Sequence, residues 1–511
     1  MLKLIKKTKS YVSIVLVICL CLGFAACSAP LQKDGILTGE DLLMSVGDVP
    51  NTDSEKYSEI MQNQFVLTEK VDSQAFSLKV DTAAYSNIAR IIKNSKLPPP
   101  DAVRTEELIN YFKYDAAVEM SEEHPFGVKT FVAESPFAEG KHMAYIRVKT
   151  ADIDVSELPP SNLTFLIDTS GSMMSYDKLP LLQQAFSLLV NNLTAKDTIS
   201  IVTYGGTSQV LLDSADGGDK EQILSVINSL EASGSTAGAK GIQTAYDLAK
   251  KNYRADANNR VILATDGDFN VGISTTDALK AFISEKRNEG IYLSVLGFGT
   301  GNLRDDIMET LAANGDGNYS YIDNLTTAQK VLVEEMGANM FVVAKDVKAN
   351  LKFNKDVVKE FRLVGYENRL MSSEDFNNVN KDAGELGAGT DVVVLVELVL
   401  HENAIANSTE TYNKDLLNVC IRYKTVDNGS QMELNVPVTK GTDDSISREE
   451  KSDFNFACSV AAFAEFLRKS EFIGNATTKD IADLATKNLG NDAKGYRIGF
   501  VDLINKATTI R

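Results

Sequence analysis

At 511 residues, with 44% hydrophobic and 24% charged residues, the chain has ordinary globular composition and length enough for roughly two to four domains. A formal net charge of −18 leaves no basic excess to neutralise phosphates, which argues against a nucleic-acid binder. Three scattered histidines, His124, His142 and His401, approach no ligand spacing and argue against zinc sites and histidine catalysis.

The first segment, MLKLIKKTKSYVSIVLVICLCLGFAAC, carries Lys3, Lys6, Lys7 and Lys9, and small residues precede Cys27. The apolar run between them, about a dozen residues, suits a secretory signal and is too short for a comfortable membrane span. Phe24-Ala25-Ala26-Cys27 resembles the bacterial lipoprotein box, with Phe24 where a branched aliphatic is usual. That resemblance implies a signal peptide over 1–26, a lipidated Cys27, and an extracytoplasmic chain anchored to a membrane of the cell envelope. Loss of the four lysines takes the formal charge to −22. Residues 27–64 are polar without sustained periodicity, which suits a tether.

Folding signals begin near Phe65, and 65–160 reads as an N-terminal region. DTAAYSNIARIIKNSKLPPPDAVRTEELINYFKYD offers two helical patterns separated by Pro98-Pro99-Pro100, with Asp101 placed to cap the second. FGVKTFVAE and HMAYIRVKT alternate like half-buried strands. From 163 to 340 the pattern becomes apolar strand, small-residue turn, amphipathic helix, repeated. The strands are TFLID, TISIVTY, RVILATD, YLSVLGFG and NYSYID. Helices are KLPLLQQAFSLLVNNL, DKEQILSVINSLE, AGAKGIQTAYDLAKKNY, TDALKAFISEKRNEG and NLRDDIMETLAANG. This alternation predicts an α/β domain with a mostly parallel, doubly wound sheet and helices on both faces.

In 341–511 strands return at DVKANLKFN, FRLVGYENRL, DVVVLVELVL, LLNVCIRYK and QMELNVPV, and helices follow from Ser452. They suggest a β-sandwich shared with strands ahead of the α/β unit, then a helical end. Cys420 in LLNVCIRY and Cys458 in FACSVAAFAEFL read as small buried hydrophobes and not as a disulfide pair.

FLIDTSGSM and RVILATDGDFN each end an apolar strand on an aspartate, Asp168 and Asp266. A buried carboxylate is costly without a positive partner. Ligands of open α/β sheets sit beyond the carboxyl ends of the strands, so one sheet edge can bring the two together. With the hydroxyls of Ser170, Ser172 and Thr236 they form an all-oxygen set suited to a hard cation, Mg²⁺ first, with Mn²⁺ or Ca²⁺ as alternatives. Two carboxylates cancel the charge of such an ion and leave it electrophilic toward one more anionic oxygen. Taken singly, Ser170, Ser172 and Thr236 also read as helix N-caps.

DTSGS, a threonine at the head of a later helix, and ATDG together resemble the metal-ion-dependent adhesion site of the von Willebrand factor A (VWA) domain. Asp168, Ser170 and Ser172 match its D-x-S-x-S, and Thr236 and Asp266 its later threonine and aspartate; Ser235 stands where a glycine often precedes the threonine. The lipoprotein signal, VDTAAYSNIARIIKNSKLPPPDAVRTEELINYF, KLPLLQQAF, ATDGDFNVGIS, VLGFGTGN, VGYENRL and GYRIGFVDLI resemble the bacterial YfbK-type VWA lipoproteins over almost the whole mature chain. The resemblance implies a dedicated N-terminal region, a central VWA domain and a C-terminal region special to that family, and names no partner. The leading reading of the site is a non-enzymatic, membrane-anchored binding protein whose Mg²⁺ is completed by an Asp or Glu of a protein partner.

Three enzyme readings compete with it. VLGFGTGN runs a strand through Gly297, Gly299 and Gly301 into a helix, but Asn302 stands where a dinucleotide fingerprint needs its third glycine. A hydrolase using Ser170 or Ser172 lacks both G-x-S-x-G and a nearby histidine base. Metal-assisted phosphoryl transfer would use the same Mg²⁺, and turnover discriminates it.

Overall fold

Why the α/β strands read as continuous apolar runs is plain from the strand Ser161–Asp168, every residue of which is buried. In the computed structural model, which describes residues 54–153, 158–234, 238–267, 276–402, 404, 415–440 and 445–510, this strand lies inside a six-stranded sheet. Its parallel neighbours are Thr198–Gly205 and Asn258–Thr265. Tyr292–Phe298 and Tyr319–Ile322 continue the parallel order on one side, and Thr207–Asp216 closes the other edge antiparallel.

Alternate residues serve opposite faces. Phe165 and Ile167 pack with Leu182, Phe186 and Leu189 of the helix Leu179–Asn192 and with Ile223 of Lys220–Asn228. Leu166, Val202 and Leu263 pack with Ile242 and Tyr246 of Gly238–Lys251, Leu279 of Thr276–Asn288 and Leu311 of Asp305–Asn314. Each such burial stabilises the fold by about 1.5–3 kcal/mol relative to exposure. The sheet is therefore a mostly parallel α/β sheet with helices on both faces.

The flanking residues form a β-sandwich from both ends of the chain. One all-antiparallel sheet runs Val66–Leu67, Val358–Val364, Asp391–Leu400, His142–Thr150, Phe126–Glu134. The other runs Leu370–Met371, Ser73–Ser77, Val342–Phe353, Asp415–Lys424, Gln431–Thr439. Phe76, Leu351, Val419 and Ile421 meet Ile146, Phe361, Leu363 and Val396 between them. The outer face of the first sheet, through Tyr145, Val393 and Leu395, packs on Ala83–Lys93, Arg448–Arg468, Thr478–Lys487 and Tyr496–Thr508. The α/β domain is thus threaded between His142–Thr150 and Val342–Phe353 of one sandwich. Cys420 and Cys458 are both unpaired and buried.

Three expectations change. Asp101 caps no α-helix: it lies in the 3-10 turn Pro100–Ala102, and its carboxylate accepts the backbone N–H of Ile60 at 3.1 Å. The helix Thr105–Ile109 begins after Arg104, which makes no capping bond. The expected tether 27–64 does not extend through 54–64, which packs on the folded body. Glu55 forms a two-point ion pair with Arg90 at 3.0 and 2.9 Å, Lys56 bridges to Arg304, and Asn63 donates to the carbonyls of Leu363 and Gly365. Polar composition there reflects polar partners and not solvation. Thirdly, Thr207–Asp216 and Ser73–Ser77 are strands that no pattern announced.

Candidate functional site

Parallel pairing puts Ile167 beside Ala264, so the next residues of the two strands, Asp168 and Thr265 with Asp266, share one end of the sheet. Both aspartates are fully buried. The Asp168 carboxylate accepts the Ser170 backbone N–H at 2.9 Å and the Thr265 hydroxyl at 3.1 Å, and the Tyr204 phenol faces it. All these partners are neutral. Burial pushes Asp168 up to about 6, against the Ser170 hydrogen bonds, and the nearby Asp266 charge adds to the rise.

Ser170 precedes the short 3-10 turn Gly171–Met174 but its hydroxyl caps nothing there. It lies 2.9 Å from the Ser172 hydroxyl, and Ser172 in turn hydrogen-bonds Asp266. Met173 plugs the turn into the core, fully buried, while Ser172 stays exposed. The loop that carries Ser170 is pressed close to its neighbours. Thr169 N–H donates to the Tyr204 carbonyl, Gly171 N–H to that of Gly234, and a side chain at Gly205 would collide with the Thr169–Ser170 backbone.

Four residues expected to form the site, Asp168, Ser170, Ser172 and Asp266, are therefore brought together. Thr236 and Cys27 lie outside the described residues. Sequence reasoning missed Lys178 and Asn302. The Lys178 ammonium lies 2.8 Å from Asp266 Oδ2 and 3.1 Å from Asn302 Oδ1, with the residue only 7% exposed. Burial alone would raise Asp266, but the Lys178 charge and hydrogen bond, then Ser172 and Asn302, hold it below the usual carboxylate range. The positive partner demanded by the buried carboxylates was foreseen as a metal alone; a lysine heading the next helix was the signal passed over.

The donor set fits a hard divalent cation. It is all oxygen, and among the described residues Asp168 has only neutral groups in contact, so Lys178 offsets one of two buried carboxylates. Among the described residues no three His, Cys, Asp or Glu side chains cluster as ligands, so a cation here would rest on two carboxylates and hydroxyls. Nor is any described helix long and apolar enough to cross a membrane.

The glycines of VLGFGTGN serve packing. Gly301 N–H donates to Glu55 Oε1 at 3.0 Å, which occupies the donor a phosphate would need. Of the histidines, His124 contacts Tyr423, His142 lies in the outer sandwich sheet, and His401 reaches the Lys355 carbonyl, all in the flanking region.

Comparison with known proteins gives three family matches. Residues 51–145 match the family described as von Willebrand factor, residues 162–335 the von Willebrand factor type A domain, and residues 338–510 the family described as Uncharacterized protein YfbK, C-terminal. The protein YfbK of Escherichia coli K12 is 39% identical over 478 residues, 90% of this chain and 82% of its own length. Human inter-alpha-trypsin inhibitor heavy chain H3 is 25% identical over 260 residues, 48% of this chain but 29% of its own length. Among solved structures, a von Willebrand factor type A protein from Catenulispora acidiphila is 16% identical, covering 74% of this chain and 89% of its own at a TM-score of 0.41.

Proposed function

This chain belongs to the YfbK family of VWA-domain proteins, and from that premise we propose that it is a non-enzymatic binding protein. Cys27 is lipidated and holds the folded body to a membrane of the cell envelope. The site captures a protein partner through a divalent cation, Mg²⁺ first among the candidates. The observation that carries this reading is the convergence of Asp168 and Asp266, both fully buried, with only one cationic side chain in contact with the pair among the described residues.

Asp168, Ser170, Ser172 and Asp266, with Thr236, would hold the ion. When bound, it would supply a Lewis-acidic position for one more anionic oxygen, an Asp or Glu carboxylate of the partner. Shortly after Ser172 in the chain, Met174 and Tyr176 are 69% and 86% exposed. Exposed apolar side chains beside a charged centre suit a partner surface better than a small substrate. The Glu55 carboxylate on Gly301 N–H and the remote histidines weigh against the nucleotide and hydrolase alternatives.

The mature charge of −22 disfavours acidic partners at long range, but at physiological ionic strength screening confines that repulsion to about 8 Å. The fitting partner therefore offers one exposed Asp or Glu within a neutral or basic surface. Affinity capture from native membranes, with Mg²⁺ and with EDTA, tests the reading. Capture should be lost in EDTA and on amidation of the partner's single acidic residue, while added salt changes the on-rate only modestly. A partner that binds equally in EDTA overturns it, as does turnover of a phosphate ester at the site.

A further inference from the structure

Lys178 does not end in water, where a compact and strongly hydrated ammonium is most stable. It is seated by three separate pieces of chain. Its backbone caps the start of the helix Leu179–Asn192, its ammonium lies between Asp266 and Asn302, and its stem crosses the end of the strand Tyr292–Phe298 at Gly299. Gly299 has φ +74°, and a Cβ there would collide with the Lys178 stem. The middle glycine of VLGFGTGN thus clears a path for a lysine from elsewhere in the domain.

Resting on the metal-dependent reading above, we propose that Lys178 is a built-in counter-cation that holds the divalent ion's place on Asp266, so that ion entry is an exchange releasing the ammonium from Asp266 and Asn302. The residues themselves supply the logic. Without Lys178, Asp168 and Asp266 would stand buried and close together with no positive group in contact among the described residues, at a cost in stability. With it, Asp266 is neutralised while the hydroxyls of Ser170 and Ser172 and the Asp168 carboxylate keep their places. The lysine therefore lowers the affinity for the cation and preserves the metal-free site in folded form. No bond is made or broken; one +1 group leaves one carboxylate as a +2 ion arrives.

Two measurements on the mature chain test the exchange, with Mn²⁺ as the probe. Acetylation of the wild-type protein, read at each lysine by mass spectrometry, should find Lys178 protected without metal and modified at least severalfold faster with saturating Mn²⁺. Titration followed by electron paramagnetic resonance should show Lys178→Met and Lys178→Gln binding Mn²⁺ at least about tenfold more tightly than wild type, since one positive charge at contact is removed from a buried site. Both variants should lose thermal stability without metal and regain it with Mn²⁺. Lys178→Gln keeps a hydrogen-bond donor toward Asp266, and the acetylation arm needs no variant. If wild type binds Mn²⁺ but Lys178 labelling does not change, or the variants bind no more tightly, the exchange is wrong while the metal site stands. If no form binds Mn²⁺, the metal-dependent reading falls and the exchange with it.

Discussion

In the flanking sandwich Arg147 meets Asp391 through two hydrogen bonds of 2.7 and 2.9 Å and donates two more to the carbonyls of Tyr114 and Ala116. Arg362 likewise bridges Glu397 and Glu465, and Arg497 meets Asp453. In the α/β domain Asp168 rests on neutral donors and Asp266 on one lysine. These three buried arginines of the first region meet their carboxylates with groups that match them in shape and stay charged. The second leaves a carboxylate unneutralised and uses a flexible lysine, a group that can leave.

The largest effect expected from that contrast lies in the sandwich. Arg147→Met strands Asp391 in a dry interior and should cost about 3–5 kcal/mol, read by chemical denaturation. Cation binding by the molecules that remain folded should be unchanged. A loss under about 1 kcal/mol, the scale of a surface pair, would erase the distinction between the regions.

The opposite pattern is expected at Asp168. Asp168→Asn keeps the shape and removes a charge that burial disfavours, so stability without metal should hold or rise. Mg²⁺ or Mn²⁺ affinity should fall by at least about 100-fold, the upper end for loss of a group that merely supports a ligand. Cys420→Ser, distant in the sandwich, serves as the control. Calorimetry showing equal ion binding in wild type and Asp168→Asn would remove Asp168 from the site.

The contrast also explains what could be read from the chain. Strands such as Ser161–Asp168 and Asn258–Thr265 were legible because parallel strands covered on both faces carry an unbroken apolar run, here Phe165–Ile167 and Val261–Ala264. Thr207–Asp216 was not: only Leu212 is buried, so an exposed edge strand carries no periodic signal. Ser73–Ser77 pairs with Val342–Phe353 across more than half the chain, and nothing local in SQAFS announces so distant a partner. Asp168 and Asp266 announced themselves by ending apolar strands. Lys178 was hidden because a lysine at the head of an amphipathic helix reads as solvated. What buries it, Gly299 and Asn302, comes from the far side of the sheet order.

A smaller effect should separate the rim of the site from its floor. Tyr176 is almost fully exposed and makes no described hydrogen bond, so Tyr176→Ala should leave stability and ion affinity where they are. Exposed aromatics at interface centres commonly contribute more than about 1 kcal/mol, so capture of the partner should weaken roughly tenfold. Unchanged capture in surface plasmon resonance would place the interface elsewhere, most plainly on the flanking sandwich.

The smallest effect concerns His142, a buried group of the sandwich that is not closed by a partner. The residue is 4% exposed and neither ring nitrogen has a hydrogen-bond partner among the described residues. Burial, with Lys440 adding and Glu134 opposing, pushes its pKa down from 6.5 to about 4. Below 6.5 the unfolded chain takes up a proton that the folded chain refuses, so the unfolded state is favoured as pH falls. The stability associated with neutral His142 is thus fully present above 6.5 and is lost as pH falls from 6.5 toward 4. His142→Phe removes that proton uptake and keeps an apolar ring of similar breadth. The melting temperatures of the two proteins should differ by a constant amount above pH 7, and the difference should move in favour of the variant between 6.5 and 4. A difference that stays flat across that window would mean the ring is protonated in the folded protein, and that this buried charge too is closed by a partner.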